Sequence, residues 1–318
     1  MQRAQKDLYF KCMQRIRYYS LSRFLKETFG EKIKKIPLDA GFSCPNRDGS
    51  RGKGGCIYCD AKGSGTGLHP QISLKEQIEF FTEGFKKRGF SRFIAYFQSF
   101  SNTYAEPDFL RKTYGVILNY PEILGLAIGT RPDCINKEVI AVLKEFQRLG
   151  YFLWIELGLQ SRHNQTLELI NRGHSFEEFL QAYQMLKEAE IPVVVHIIFG
   201  LPEETKEMML ETAKTLADLR VDGVKFHALY ILKGTTLARL FQEGKLKELT
   251  LEEYADLVAE SLGMLPPETV IHRLTSDPPK EGLLAPLWLL EKNKVLQAID
   301  RTLSERALYQ GKNYLPLI

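Results

Sequence analysis

Three of the chain's five cysteines lie between positions 44 and 59. The stretch reads Gly41-Phe42-Ser43-Cys44-Pro45-Asn46-Arg47-Asp48-Gly49-Ser50-Arg51-Gly52-Lys53-Gly54-Gly55-Cys56-Ile57-Tyr58-Cys59. Cys56 and Cys59 form a CxxC pair, with Tyr58 just ahead of the second thiol. Eleven residues, rich in Gly, Arg and Lys, separate Cys44 from Cys56. Three thiolates with no fourth close by suit an iron–sulfur cluster with one open iron, since such clusters are ordinarily held by four thiolates. A missing protein ligand leaves a coordination position for a small molecule, the same logic that separates catalytic from structural zinc sites. Arg47, Arg51 and Lys53 would offset the cluster's negative charge and help keep the thiols ionised. Two other readings stay open on spacing alone. A structural zinc site would take His69 as its fourth ligand, and a reducible disulfide would need only two of the thiols.

Composition narrows the setting. Hydrophobic residues make up 44% of the 318 and charged residues 26%, as in ordinary globular proteins. No window approaches the ~20 apolar residues of a membrane span. The N-terminus is basic and polar, without the apolar core of a signal peptide. An odd number of cysteines, three of them clustered, does not read as a secreted disulfide framework. The expected compartment is the reducing cytoplasm, with no membrane partner. The net charge of +4 decides little, but its distribution is uneven. Residues 1–32 form a basic extension, including Arg3, Lys6, Lys11, Arg15, Arg17, Arg23 and Lys26, interleaved with Tyr9, Phe10, Tyr18, Tyr19 and Phe24. Such a surface could hold phosphates and stack bases. A solvated extension with its aromatics packed inward would look the same.

Apolar runs at Ile33–Ala40, Arg92–Gln98, Ile123–Ile128, Phe152–Leu159, Val193–Phe199 and Gly223–Leu232 read as six strands alternating with helices. Ser73 with Glu76, and Ser175 with Glu178, are capping boxes. Pro107 favours a helix start. Asn136 caps a helix with Val139, Ile140, Leu143 and Phe146 as its buried face. Near-continuous apolar strands imply a parallel sheet covered on both faces. The expected fold is therefore α/β, a partial (β/α)6 TIM-type barrel over residues 33–235. Residues 236–318 make a mainly helical extension, with Thr269–Leu274 as an edge strand and a last helix over Pro286–Tyr309. In such folds the chemistry sits at the C-terminal strand ends. That is where the polar segments fall: Gln98 to Tyr104, Thr130 to Asp133, Glu156 to Ser161 and Gly200-Leu201-Pro202.

With these residues in place, the sequence resembles the radical S-adenosylmethionine (SAM) superfamily over roughly residues 30–235. The motif Trp154-Ile155-Glu156-Leu157-Gly158-Leu159-Gln160-Ser161, then Leu167-Glu168-Leu169-Ile170-Asn171-Arg172-Gly173-His174, is similar to the fourth-strand segment of the Elongator-like group. Thr130-Arg131-Pro132-Asp133 is similar to that group's third-strand signature. The long cysteine gap and the Ser101-Asn102-Thr103-Tyr104-Ala105 stretch resemble a bacterial subfamily of short forms without an acetyltransferase domain. Two departures stand out. The first cysteine gap usually has three residues, and a Gly-Gly-Glu type segment usually follows the second strand, where Gln98, Ser99, Ser101, Asn102 and Thr103 stand here.

The resemblance implies that Cys44, Cys56 and Cys59 ligate a [4Fe–4S] cluster and that SAM binds its open iron. It implies further that Tyr58 packs near the adenine, and that Gln98, Ser101, Asn102 and Thr103 receive the amino group. Arg131 would meet the SAM carboxylate. Glu156 would hold the ribose or pair with Arg131, Gln160 would face SAM or substrate, and Gly200 and Pro202 would flank the adenine. His196 and His227 point inward by alternation and read first as hydrogen-bonded core residues; Cys12 and Cys134 read as inert thiols. The implied activity is cleavage of SAM with electrons from a low-potential donor such as flavodoxin or ferredoxin. The implied substrate is the wobble uridine of tRNA, whose carboxymethylaminomethyl group would be remodelled to aminomethyl. A radical SAM enzyme on a metabolite or protein, and a non-catalytic RNA-binding iron–sulfur or zinc protein, are the competing readings.

Overall fold

The computed structural model describes residues 17–60, 63 and 72–316. Cys12, His69 and the basic residues before Arg17 lie outside these. In chain order the elements begin with α1 (Leu21–Phe29), β1 (Ile33–Leu38), α2 (Leu74–Lys86), β2 (Arg92–Phe97), α3 (Pro107–Gly115) and β3 (Ile123–Thr130). Next come α4 (Lys137–Arg148), β4 (Phe152–Gln160), α5 (Asn164–Leu169), α6 (Phe176–Glu188), β5 (Val193–Phe199), α7 (Lys206–Leu219), β6 (Gly223–Ala228) and β7 (Ile231–Leu232). The chain ends with α8 (Thr236–Gln242), α9 (Leu251–Met264), β8 (Val270–Arg273), β9 (Leu283–Ala285) and α10 (Lys292–Glu305).

Seven strands form one sheet in the order β1-β2-β3-β4-β5-β6-β8. The pairs β1/β2, β2/β3, β3/β4 and β6/β8 are parallel. The α/β alternation read from the apolar runs is thus present, and the expected edge strand near residue 270 joins the sheet as its seventh member. The sheet is open, with β1 and β8 at its ends. Helix α10 is shorter than the run Pro286–Tyr309 suggests, because a 3-10 turn over Leu287–Leu290 precedes it.

The chain divides into two compact units. One comprises residues 25–160 and 167–196. Its helices begin where the sequence says. Ser73 accepts from the Glu76 N–H, Ser175 from the Glu178 N–H, and both boxes close reciprocally. Asn136 accepts from the Val139 N–H. The buried stripe of α4 is Val139, Val142, Leu143 and Phe146, with Ile140 only half-buried. The i, i+3, i+4, i+7 spacing selects Val142 and turns Ile140 off the stripe. Tyr114 of α3 packs edge-on to Phe97 of β2 and to Phe146, tying α3 and α4 to the sheet.

The other unit comprises residues 1–24, 161–166 and 197–318. Phe199 of β5 contacts Phe226 of β6 and Tyr254 of α9, so these apolar side chains fill the space under α9. The free edge of β8 is covered rather than bare. Tyr19 O accepts from the Ile271 N–H at 2.8 Å, and Ser20 bridges Ile271 in parallel. Covering an edge in this way removes a template for unwanted pairing.

Candidate metal and cofactor site

The site is built from loops that follow β1, β2, β3 and β4, all in the unit formed by residues 25–160 and 167–196. After β1 the chain is held by Gln77 of α2, whose amide accepts from Asp39 N and donates to Asp39 O, both at 2.8 Å. The spacer between Cys44 and Cys56 then folds on itself. Arg47 N donates to Cys44 O at 2.8 Å, Arg51 N to Pro45 O at 2.8 Å, and Gly55 N to Asn46 O at 2.8 Å. Asp48 and Lys53 form an antiparallel bridge. The long gap is therefore a compact excursion, pinned outside by Arg51 to Glu178 at 2.7 Å and by Ser50 to the Tyr104 hydroxyl at 2.7 Å.

The CxxC turn docks on the segment after α5. Ile57 N donates to Ile170 O at 3.0 Å, and Asn171 Nδ2 to Gly55 O at 2.7 Å. Arg172, 7% exposed, aims its Nη1 at Cys56 Sγ at 3.6 Å and its Nη2 at Gly158 O at 2.7 Å. Its Nε donates to His174 Nε2 at 3.0 Å. A guanidinium only donates, so His174 is neutral and accepts there, while its Nδ1 reaches Ser175 O at 3.1 Å. Burial, with Arg172 and Arg131 close by, holds that imidazole well below its usual range. Asn46 Nδ2 points at Cys56 Sγ from another side, at 3.7 Å. The Cys59 thiol beside it and the Arg172 guanidinium draw the Cys56 thiol well below its usual range, and the same contact together with burial pushes Cys59 well above it.

Two of the three expected sulfurs thus converge. Among the described residues, no group of three or more His, Cys, Asp or Glu side chains is gathered as a metal would need. Cys44 acts on Cys134, whose thiol is pushed up to about 12 by burial, with Asp133 and Cys44 adding to the effect.

The loop after β2 is fixed to its neighbours through the backbone. Ser101 N donates to Ser43 O at 3.2 Å, and Asn102 donates twice to Gly129 O, from N at 3.1 Å and Nδ2 at 2.8 Å. Thr103 Oγ1 donates to Cys134 O and shares a 2.7 Å bond with Thr130 Oγ1. Ser99 Oγ, Asn102 Oδ1 and Asn46 Oδ1 are buried without a partner in the protein, whereas the buried Ser101 Oγ lies against the Cys134 thiol and Tyr58 OH against Cys56. Each unpartnered atom costs roughly 1–3 kcal/mol. Gln98, beside them, is half-buried.

Arg131 and Glu156, expected as a possible ion pair, have other partners. Arg131 forks onto Asp133, Nε to Oδ1 at 2.9 Å and Nη2 to Oδ2 at 3.1 Å, and its Nη1 holds Arg172 O at 2.7 Å. Glu156 Oε1 receives Lys35 Nζ at 3.1 Å and Trp154 Nε1 at 3.0 Å, and Oε2 receives His196 Nε2 at 3.0 Å. The register explains the difference. Glu156 lies opposite Gly129, two residues short of Arg131, and each strand residue advances about 3.3 Å. Lys35 also lies 4.1 Å from the Tyr96 ring centroid. His196 is thus a hydrogen-bonded strand histidine, as alternation implied.

Gln160 ends β4 with φ 79° and folds its amide back over Gly158. In the other unit, Gly200 (φ 89°) donates its N–H to Met209 Sδ at 3.1 Å, and Pro202 is buried in the turn that follows. Gly200 lines an apolar recess with Leu229, Leu249 and Trp288.

Sequence reasoning assigned no role to Asn46, Lys35, Asn171, Arg172 or His174. The signal for the last three was present in Asn171-Arg172-Gly173-His174, a polar run directly after an apolar helix segment.

A parallel α/β sheet whose first loop carries a CxxC turn with a buried first thiol beside a buried guanidinium is a class of architecture that sequence similarity makes specific. The sequence matches the Radical SAM superfamily over residues 47–216 and the Radical_SAM C-terminal domain over residues 221–305. The chain belongs to the radical SAM superfamily. It is 42% identical to the Bacillus subtilis (strain 168) protein YtqA over 298 residues, 93% of this chain and 92% of that one. It is 33% identical over 160 residues to the tRNA uridine(34) acetyltransferase of Methanocaldococcus infernus, which covers 49% of this chain and 29% of that one. Among solved structures, the archaeal Methanocaldococcus infernus Elp3 with an N-terminal deletion superposes with a TM-score of 0.66 at 18% identity, and this chain spans 64% of its length. That likeness speaks to the fold.

Proposed function

We propose that the protein is a radical SAM enzyme in which Cys44, Cys56 and Cys59 hold a [4Fe–4S] cluster and the neighbouring loops hold SAM. The observation that carries this is the pairing of Cys56 and Cys59 beneath Arg172, beside a set of buried polar atoms without protein partners. The residues present fit the group in part: the Cys56 and Cys59 sulfurs converge, and Cys44 would supply the third ligand. Thiolates are its ordinary ligands, a fixed cation balances its charge, and orphaned oxygens are what an ammonium ligand would satisfy. When bound, the cluster and SAM together supply reductive cleavage to a carbon radical that abstracts a substrate hydrogen. The chain's part is to bind, orient and exclude water.

Within that part, Ser99, Ser101 and Asn102 present acceptors to the amino group of SAM. Arg172 takes the carboxylate, the role expected of Arg131, because the fork of Arg131 is closed on Asp133. Arg172 Nη1, 3.6 Å from Cys56 Sγ, is the nitrogen held neither by Gly158 O nor by His174. Glu156, with both oxygens engaged, positions Lys35 and His196. Gln160 faces the ligand from the end of β4.

The substrate we propose is the wobble uridine of tRNA, with remodelling of its carboxymethylaminomethyl group to aminomethyl. Support comes from the half-chain similarity to a tRNA uridine(34) acetyltransferase and from the basic, aromatic N-terminal sequence. A low-potential flavodoxin or ferredoxin supplies the electrons. Anaerobic reconstitution with iron and sulfide is expected to yield 5′-deoxyadenosine from SAM, and none with Cys56→Ala. Mass spectrometry of tRNA nucleosides from a strain lacking the protein is expected to show a changed wobble-uridine profile. An unchanged profile rejects the RNA substrate, and absence of 5′-deoxyadenosine rejects the enzyme.

A further inference from the structure

Three unusual backbone positions meet around one guanidinium. Gly55, the residue before Cys56, has φ 79°, and a Cβ there would meet Arg47 Nε at 2.9 Å and Cγ at 3.2 Å. Gly63 has φ 60°, and a Cβ there would come within 2.4 Å of the Phe100 ring. Phe100 itself has φ 61°, a left-handed conformation that is costly for a bulky residue and is retained where the surroundings demand it. Between Gly55 and the Phe100 ring lies Arg47, its Cζ 5.4 Å from the ring centroid. The layers are therefore Gly55, Arg47, Phe100 and Gly63, each bare glycine making room for the group stacked on it. The edge of the guanidinium donates from Nη2 to the backbone carbonyl of Asp60, the residue after Cys59.

This is more than a loop tie needs. A neutral side chain could cap the Asp60 carbonyl, and an aliphatic one could fill the stack. A guanidinium is permanently charged and flat, and it stacks on aromatic rings. The stack holds that charge against the CxxC turn, where it acts on Cys59, while Arg172 already supplies a cation to Cys56. Potentials of thiolate-bound clusters respond to net charge and to nearby hydrogen bonds and burial.

We propose that Arg47 is a positioning residue that sets the reduction potential of the group bound by Cys56 and Cys59, its fixed charge favouring the one-electron reduced state. This rests on the iron–sulfur reading above. The step is a one-electron reduction, with dithionite as the donor in the test and a low-potential electron carrier in the cell.

The test compares the full-length reconstituted protein with Arg47→Gln and Arg47→Lys, by iron and sulfide analysis and by an EPR-monitored redox titration. For Arg47→Gln at wild-type iron content, the reduced-to-oxidised ratio at fixed potential is expected to fall at least tenfold, a shift of about 59 mV for one electron. Arg47→Lys, which keeps the charge, is expected to stay near wild type. A Gln variant with the wild-type potential overturns the proposal. If the Gln variant loads no iron, the Lys variant decides. Wild-type loading by Lys upholds a role for the charge, and failure of both assigns Arg47 a structural role and overturns it. If the wild type itself assembles no cluster, the iron–sulfur reading falls first and takes the proposal with it.

Discussion

Arg172 Nη1 stands 3.6 Å from Cys56 Sγ across 116 residues of sequence. The guanidinium is buried, and its other nitrogens are committed to Gly158 O and His174 Nε2. Removing it would strip Cys56 of its charged partner, leaving it the Cys59 and Asn46 contacts, and would leave Gly158 O and His174 Nε2, 3.1 Å apart, only each other. Breaking a buried charged pair from one side costs about 3–5 kcal/mol. Arg172→Met is therefore expected to lower the unfolding free energy by roughly 3 kcal/mol in urea titrations of the metal-free protein. Lys cannot reproduce the three-way fork, so Arg172→Lys is expected to recover less than half of the loss. A loss under 1 kcal/mol for Met would mean that the fork holds nothing together.

Glu156 accepts three donors on two oxygens inside the sheet. Glutamine keeps the shape but turns an amide N–H2 toward either His196 or the Lys35–Trp154 pair. Glu156→Gln is expected to cost about 2 kcal/mol, the penalty of a mismatched buried polar group. Lys35→Met removes one of the stranded donors, so the double variant should cost less than the two singles added together. The coupling read from that double-mutant cycle tests the arrangement; strict additivity would show that Lys35 and Glu156 do not work as a pair.

The sequence made some of this legible and hid the rest for a physical reason. Interactions closed within a few residues could be read. The Ser73/Glu76 and Ser175/Glu178 boxes are examples, and so in principle was the fork of Arg131 onto Asp133, two positions away. The strands could be read because burial on both faces leaves long apolar runs. What could not be read depends on register between distant strands. Lys35 looks like a polar residue on an edge strand, and only the pairing of β1 with β2 and the reach of Glu156 from β4 show that it is turned inward. Arg172 looks like one more basic residue after a helix until the CxxC turn is docked on it. Even within the cysteine loop, spacing did not reveal that the eleven-residue gap closes on itself through backbone bonds from Arg47, Arg51 and Gly55.

Cys134 offers a chemical check on that loop. Its thiol is pushed up to about 12, so on the order of one molecule in ten thousand carries the thiolate at pH 8, and the thiolate is the reactive form. It is also 5% exposed. In the native protein, iodoacetamide at pH 8 is expected to leave the peptide carrying Cys134 unmodified over hours, whereas the same peptide should react within minutes in urea. Labelling at comparable rates in both conditions would show that the segment after β3 opens freely.

Glu204 gives a pH signature in the other unit. It is only partly exposed, accepts a short hydrogen bond from the Ser161 hydroxyl, and burial raises its carboxyl above the usual value, against the opposing pull of the Ser161 and Thr166 hydrogen bonds. The folded protein therefore holds the Glu204 proton to higher pH than the unfolded chain does. Between the ordinary carboxylate value of about 4.5 and the raised one, the native state binds more protons. By linkage, stability from this group is then complete below the lower value and lost as pH rises through the upper one. Glu204→Gln mimics the protonated form at every pH and still offers an oxygen to Ser161. Unfolding free energies measured in urea at pH 4.5, 5.5 and 7.0 are expected to rise for the variant relative to wild type across that series. Parallel curves would mean that the carboxyl titrates alike in both states and that its burial carries no electrostatic penalty.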